Sequence, residues 1–317
     1  MILPDVTHAI GSTPLVDLSR AVAVLGLEGR VLAKLDYLLP GYSKKDRAAK
    51  AIIEAARTDG SLTNGQVVVE LTSGNMGTGL AIVCSVLGHP FVAVMSAGNS
   101  VERARMMRAL GAEVVIVPQA EGGVPGQVSG ADLALVEEAA QRITIDRGAF
   151  RADQFAHPGN PLSHEHGTGP EIWDQSGGTI TAFCDFAGSG GTLAGAARFL
   201  RPKGVRCYAV EPHGAQAIAG QPVTAPDHPI QGGGYAMDDL VHLRAVPLAG
   251  HLAVSGEDAR NHARLLARTE GVFGGFSAGA NLAAAAQLLQ GAERGGTVAI
   301  VICDSGLKYL STDLWPA

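Results

Sequence analysis

The stretch Ile180-Thr181-Ala182-Phe183-Cys184-Asp185-Phe186-Ala187-Gly188-Ser189-Gly190-Gly191-Thr192 decides the fold. Its first part, Ile180–Phe186, is a largely apolar run suited to a strand covered on both faces. The turn Gly188-Ser189-Gly190-Gly191-Thr192 follows, and the helical stretch Thr192–Arg201 opens on it. Strand, Gly-rich turn and helix in succession are the unit of a parallel α/β sheet. Successive backbone N–H groups in such a turn can surround an anion, aided by the helix dipole. No Gly-Lys-Ser/Thr follows at P-loop spacing, and Leu193 occupies the third glycine position of the dinucleotide pattern G-x-G-x-x-G. The loop suits one small phosphate; a plain tight turn is the alternative.

The same alternation extends in both directions. Further strands are expected at Arg30–Leu35, Val67–Glu70, Phe91–Met95, Glu113–Val117, Cys207–Val210 and Thr297–Cys303. Between them the helical spacing predicts Asp46–Thr58, Met76–Leu87, Val101–Leu110, Asp132–Arg142, Glu257–Glu270 and Ala278–Gln290. The predicted class is α/β, with mostly parallel sheets flanked by helices and enough chain for two of them. Ala120–Gly130 and Gly214–Gly234 read as loops, and no internal repeat stands out.

Composition narrows the function. The chain has 317 residues, 24 Lys+Arg against 30 Asp+Glu, and a formal charge of -6. No basic stripe marks a nucleic-acid partner, and 46% hydrophobic residues exclude a disordered chain. The 42 glycines, about 13% against a usual ~7%, point to tight turns where backbone approaches a ligand. Cys84, Cys184, Cys207 and Cys303 lie in apolar runs with no C-x-x-C, as buried free thiols of a reducing compartment would. Met1–Ser12 lacks the pattern of a signal peptide, and no apolar run approaches the ~20 residues of a membrane span. A soluble, cytoplasmic protein is expected.

Four further motifs invite chemistry. Thr72-Ser73-Gly74-Asn75-Met76-Gly77 links a strand to a helix and offers a cradle suited to a carboxylate, unless Ser73 or Asn75 simply caps the helix. Gly275-Phe276-Ser277-Ala278-Gly279 matches the nucleophile elbow G-x-S-x-G, yet no histidine follows position 277 to complete a triad. His157, His164 and His166 surround Glu165 but fit neither H-E-x-x-H nor its inverse, so no metal site is expected. Ser43-Lys44-Lys45-Asp46-Arg47 precedes a helix and, taken alone, reads as a solvated surface.

Taken together and in order, these segments resemble the cysteine synthase branch of the fold-type II pyridoxal-phosphate enzymes, the tryptophan synthase β superfamily. Gly11-Ser12-Thr13-Pro14-Leu15 resembles the family's opening, and Ser43-x-Lys45-Asp46-Arg47 its Schiff-base lysine motif. Thr72–Gly77 is similar to its substrate loop. Glu102-Arg103, Leu110-Gly111-Ala112, Gln154-Phe155, Asn160-Pro161 and Thr168–Trp173 continue the match. Gly188–Thr192, Glu211-Pro212, Ile230-Gln231-Gly232, Ser277-Ala278-Gly279 and Tyr309-Leu310-Ser311-Thr312 complete it.

The resemblance implies two domains: a smaller, mobile one over 41–155, and a larger phosphate-binding one from 1–40 plus 156–317. It implies pyridoxal 5'-phosphate bound covalently at Lys45, which also serves as general base. Gly188, Ser189, Gly190, Gly191 and Thr192 would hold the cofactor phosphate, Asn75 the ring's 3′ oxygen, and Ser277 the pyridine nitrogen. Thr72, Ser73, Gly74, Met76 and Gln154 would grip the amino-acid substrate. A hydroxyl at the ring nitrogen makes the ring a weaker electron sink than an aspartate would, which favours loss of a β-substituent over transamination. The implied reaction is β-replacement on an O-activated L-serine through an α-aminoacrylate, with sulfide or another small nucleophile as acceptor. The alternatives are a β-elimination lyase and a non-catalytic relative. A homodimer is implied as well. The chain departs from the family pattern at Leu39, Met76 and Phe186 and in a longer Gly123–Ala131 loop.

Overall fold

The structure is a computed structural model that describes residues 2–124 and 126–315; Met1, Pro125 of the Gly-rich loop, Pro316 and Ala317 lie outside the described residues. Among the described residues the strands are β1 (Leu15–Asp17), β2 (Arg30–Lys34), β3 (Val68–Leu71), β4 (Phe91–Ser96), β5 (Glu113–Val117), β6 (Phe150–Arg151), β7 (Ala182–Phe186), β8 (Arg206–Pro212), β9 (Gly250–Val254) and β10 (Thr297–Val301). The helices are α1 (Ser19–Val24), α2 (Lys45–Asp59), α3 (Asn75–Leu87), α4 (Val101–Ala109), α5 (Gly130–Asp146), α6 (Gly159–Ser163), α7 (Gly169–Gln175), α8 (Gly191–Leu200), α9 (Gly256–Leu265) and α10 (Phe276–Gln290).

These strands form two sheets. One has six strands in the order β1-β2-β10-β7-β8-β9, the other four in the order β5-β4-β3-β6. Every pairing is parallel except β1 with β2. The continuous apolar runs have a direct cause. In β10, Val298 and Ile300 face one core while Ala299 and Val301 face another. In the smaller sheet Val68 and Val69 divide in the same way. Helices cover both faces of the central strands, so the residues of β3, β4, β7 and β10 are buried whichever way they point, whereas the edge strands β1, β5, β6 and β9 are partly exposed.

Most expected elements appear within a residue or two of their predicted ends. The expected helix Glu257–Glu270 is α9 followed by a π-helical turn, Leu266–Glu270. Strands β1, β6 and β9 were not anticipated; the first two are only three and two residues long, and β9 opens on Gly250-His251. The cluster around Lys45 is not a solvated surface: Lys44, Asp46 and Arg47 are all buried. Arg47 is tied by both Asp36 and Glu171, with N–O distances of 2.7 to 3.0 Å, and this anchors the start of α2 inside the protein. The thiols of Cys84, Cys184, Cys207 and Cys303 are free and buried. No described helix is long and apolar enough to cross a membrane.

Candidate active site

The loops that follow β3, β7 and β10 converge with the start of α2 on one cavity, lined among others by Lys45, Asn75, Ser277 and the Gly188–Thr192 turn. Ligand sites in parallel α/β sheets form at these carboxyl ends of strands. The segment before α2 is pinned there: the Lys44 N–H donates to the Cys303 carbonyl at 2.8 Å, and Ser43 bridges Asp304.

Lys45 is the first residue of α2. Its ammonium donates to Gln154 Oε1 at 2.9 Å and to Ser189 Oγ at 3.1 Å, both neutral acceptors. Burial first, and the charge of Lys44 second, push its pKa down to about 8, within reach of a working base near neutral pH. Lys44 is held differently. Its ammonium meets Asp185 Oδ1 at 2.8 Å and Oδ2 at 2.6 Å. Burial, the largest single influence, would lower its pKa, but Asp185 and Cys303 together outweigh burial and hold it above the ordinary lysine value.

The Gly188–Thr192 turn has the form of an anion cradle. The N–H groups of Gly188, Ser189, Gly190 and Gly191 donate to no acceptor among the described residues. They stand at the N-terminus of α8, where the helix dipole adds positive potential. A Cβ on Gly188 would lie 2.7 Å from the Gly232 carbonyl, and one on Gly191 would lie 2.1 Å from Asn160 Oδ1. Glycine is what lets the surrounding chain close in here. Asn160 donates to Ser189 Oγ at 2.9 Å and to the Gln154 carbonyl at 2.7 Å, tying this turn to the Gln154 segment. Thr192 Oγ1 sits 3.2 Å from His164 Nε2, and His164 Nδ1 meets Thr168 Oγ1 at 2.8 Å. Burial, then the neighbouring cations Arg47, Lys44 and Lys45, keep that imidazole neutral.

The substrate-side residues divide into two groups. Thr72, not Ser73 or Asn75, caps α3: its Oγ1 accepts the N–H groups of Gly74 and Gly77, each at 2.9 Å. Ser73 Oγ meets the Tyr235 hydroxyl at 2.7 Å. Gly74 has φ +125°, and a Cβ there would strike the Arg103 side chain at 2.5 Å. Gln154 Nε2 donates to the Leu71 carbonyl at 3.2 Å while its Oε1 receives Lys45. Met76 is placed elsewhere. Its side chain is 1% exposed and packs with Leu80, Val83 and Cys84 in the core beneath α3, so it offers the site no side-chain contact.

Asn75 is fixed at both ends of its amide. Nδ2 donates to Asp304 Oδ2 at 2.7 Å and Oδ1 accepts from Lys308 Nζ at 2.7 Å, which sets the amide orientation without ambiguity. Tyr309 also donates to Asp304, at 2.7 Å. Ser277, in the first turn of α10, lies beside the Cys303 thiol. Sequence reasoning missed Asp185, Asn281, Tyr235 and Lys308 as parts of this site. The only local signal for Asp185 was a carboxylate inside an apolar strand.

The cavity fits pyridoxal 5'-phosphate on its own terms, since a depressed lysine and a turn of unpaired N–H donors suited to a phosphate line it together. Residues 6–304 match the family described as pyridoxal-phosphate dependent enzyme. Cysteine synthase 3 of Caenorhabditis elegans is 37% identical over 319 residues, spanning 99% of this chain and 90% of that protein. An O-ureido-L-serine synthase structure is similar with a TM-score of 0.85 at 34% identity, over 99% of this chain and 95% of that one. The O-acetylserine-dependent cystathionine β-synthase of Helicobacter pylori gives a TM-score of 0.90 at 29% identity, over 100% of both chains. The two-sheet architecture is thus the fold-type II arrangement. The chain belongs to the pyridoxal-phosphate dependent enzymes, in their cysteine synthase branch.

Proposed function

We propose that the protein catalyses β-replacement on an O-activated L-serine, with sulfide or another small nucleophile as acceptor. The carrying observation is that a lysine with a depressed pKa shares one cavity with the unpaired N–H groups of the Gly188–Thr192 turn and reaches Gln154, which is itself bonded to the Leu71 carbonyl next to Thr72–Gly74; that arrangement supports a phosphate on the first loop and a carboxylate on the second. The cofactor, when bound, supplies an electrophilic carbon and an acceptor for electrons from the substrate Cα.

The side chains do the rest. Lys45 Nζ takes the Cα proton, and its neutral partners Gln154 and Ser189 hold it in place without supplying a counter-charge. Thr72 Oγ1, having accepted two backbone N–H groups, keeps its own proton to donate to the substrate carboxylate. Asn75, locked by Asp304 and Lys308, sets the tilt of the ring. Ser277 offers a hydroxyl, not a carboxylate, to the ring nitrogen, and so steers the chemistry toward loss of a β-substituent. Residues 41–155 act as a smaller unit that closes when the Thr72–Met76 loop grips the substrate carboxylate, which excludes water from the reactive product of elimination. The enzyme works as a homodimer in the cytoplasm, a setting compatible with four free, buried thiols.

The purified, cofactor-loaded protein is assayed with O-acetyl-L-serine and a panel of β-substituted alanines, with and without sulfide. A new β-substituted alanine whose formation requires the nucleophile is expected. Pyruvate and ammonia at the same rate with or without sulfide would replace this function by that of a lyase. Sedimentation measurements test the dimer.

A further inference from the structure

Two neighbouring lysines, Lys44 and Lys45, both line the cofactor cavity. An imine forms only from an unprotonated amine: Nζ attacks the aldehyde carbon, the C=O bond gives way to C=N, and the oxygen leaves as one water carrying both amine protons. Their surroundings separate the two amines. Lys44 lies in a bidentate pair with Asp185, with side-chain exposures of 9% and 2%. Asp185 is itself held. Asn281 Nδ2 donates to its Oδ1 at 3.1 Å, while Asn281 Oδ1 receives the Phe186 N–H at 2.7 Å. Among the described residues, Lys45 Nζ hydrogen-bonds only the neutral Gln154 and Ser189 oxygens. A buried ion pair is rarely more stabilising than an apolar pair of the same volume, so stability alone does not account for this one.

We propose that Asp185 is a positioning residue that clamps the Lys44 ammonium, so that Lys45 alone condenses with the cofactor aldehyde and the clamped charge discourages a second ammonium beside it. The clamp rests on Lys45 being the cofactor lysine, as proposed above. The groups facing Lys45 are Lys44 on its own helix, Asp185 of β7, Glu70 of β3, Cys303 after β10, and the histidines His164 and His242. After burial, Lys44 is the largest influence and lowers the Lys45 pKa; Asp185, Glu70 and Cys303 oppose it less strongly.

Protein loaded with pyridoxal 5'-phosphate is reduced with borohydride and mapped by peptide mass. In the parent the label falls on Lys45; a label on Lys44 refutes the clamp together with the cofactor lysine, and a label at any other residue refutes the cofactor lysine alone. In Lys45→Ala no label appears on Lys44 at neutral pH, although the cofactor still binds. A Lys44 label there overturns the clamp and leaves the Lys45 assignment standing. In Lys45→Ala/Asp185→Asn the freed amine takes the label, and a folded variant without it overturns the clamp as well. Because Asp185→Asn strands a buried ammonium, a charge-free pair, Lys44→Met/Asp185→Asn, gives a second measure. Its Lys45 captures the cofactor with a pH midpoint, followed by absorbance, above the parent's; an unmoved midpoint overturns the electrostatic half of the proposal.

Discussion

Replacing Gly191 by alanine strikes the phosphate cradle at its tightest point. A Cβ on residue 191 would stand 2.1 Å from Oδ1, 2.3 Å from Cγ and 2.6 Å from Nδ2 of Asn160, whereas ordinary contact begins at 3.4 Å. Asn160 is 1% exposed and cannot swing toward solvent. Any retreat breaks its bonds to the Gln154 carbonyl and to Ser189 Oγ, at 2.7 and 2.9 Å. Overpacking of a dense interior costs about 1–3 kcal/mol, and the two hydrogen bonds about 1 kcal/mol each. The sum is roughly 3–5 kcal/mol. If about 3 kcal/mol of it falls on the cradle, cofactor affinity drops on the order of 100-fold.

Equilibrium titration of the cofactor-free protein with pyridoxal 5'-phosphate, alongside thermal melting, measures both shares. The partner variant Asn160→Ala makes the test sharper. It loses the same two bonds but opens the space, so Gly191→Ala/Asn160→Ala is less impaired than the two single losses added together. A Gly191→Ala protein that binds within ~3-fold of the parent and melts at the same temperature would refute the steric account of the cradle.

Three other outcomes follow from the same geometry. The rate at which the cofactor-free protein captures pyridoxal 5'-phosphate at Lys45 rises with pH through a midpoint near 8, not near the ~10.4 of a free lysine; a stopped-flow pH series that shows the higher midpoint would discard the depressed amine. Ser277→Ala keeps the cofactor, with an affinity loss of about 10-fold or less, and shifts its visible band, since one hydrogen bond contributes only ~0.5–1.5 kcal/mol; complete loss of binding contradicts that modest role. Acid should weaken the fold through Glu171. Burial alone would raise this carboxyl's pKa, but hydrogen bonds and charge from Arg47 and Lys34 outweigh burial and bring it from 4.5 to about 2. A depressed carboxyl contributes stability that is complete above its unfolded value and is lost as pH falls from 4.5 toward 2; solvent screening of this partly exposed group keeps the loss to about 1–2 kcal/mol. Denaturant titrations of Glu171→Gln are expected to start lower at neutral pH and stay flat across that window; a slope equal to the parent's assigns the acid limb to another group.

What could be read from the chain in advance depends on how far each residue is from the partner that fixes it. Seven of the ten described strands, and the glycine-rich turn after β7, were legible because their causes are local: a run such as Val298–Val301 is apolar on both faces, and glycines cluster where a strand must turn into a helix. Met76 carried a local signal too. With Leu80, Val83 and Cys84 it makes a helical i, i+4, i+7, i+8 stripe, and that spacing turns its side chain into the core although the preceding Asn75 lines the cavity. Charge pairing has no such local signature. Ser43–Arg47 reads as solvated because a lysine pair beside an Asp and an Arg ordinarily faces water; the carboxylates that bury it are remote, Asp36 lying 11 residues from Arg47, Glu171 124, and Asp185 141 from Lys44. Only the folded sheet brings Asp185, at the end of β7, against the start of α2. The choice between two adjacent lysines is therefore absent from the motif that contains them. A chain with the same Ser-Lys-Lys-Asp-Arg and a neutral residue at 185 would look identical across that motif and present two competing amines to the aldehyde.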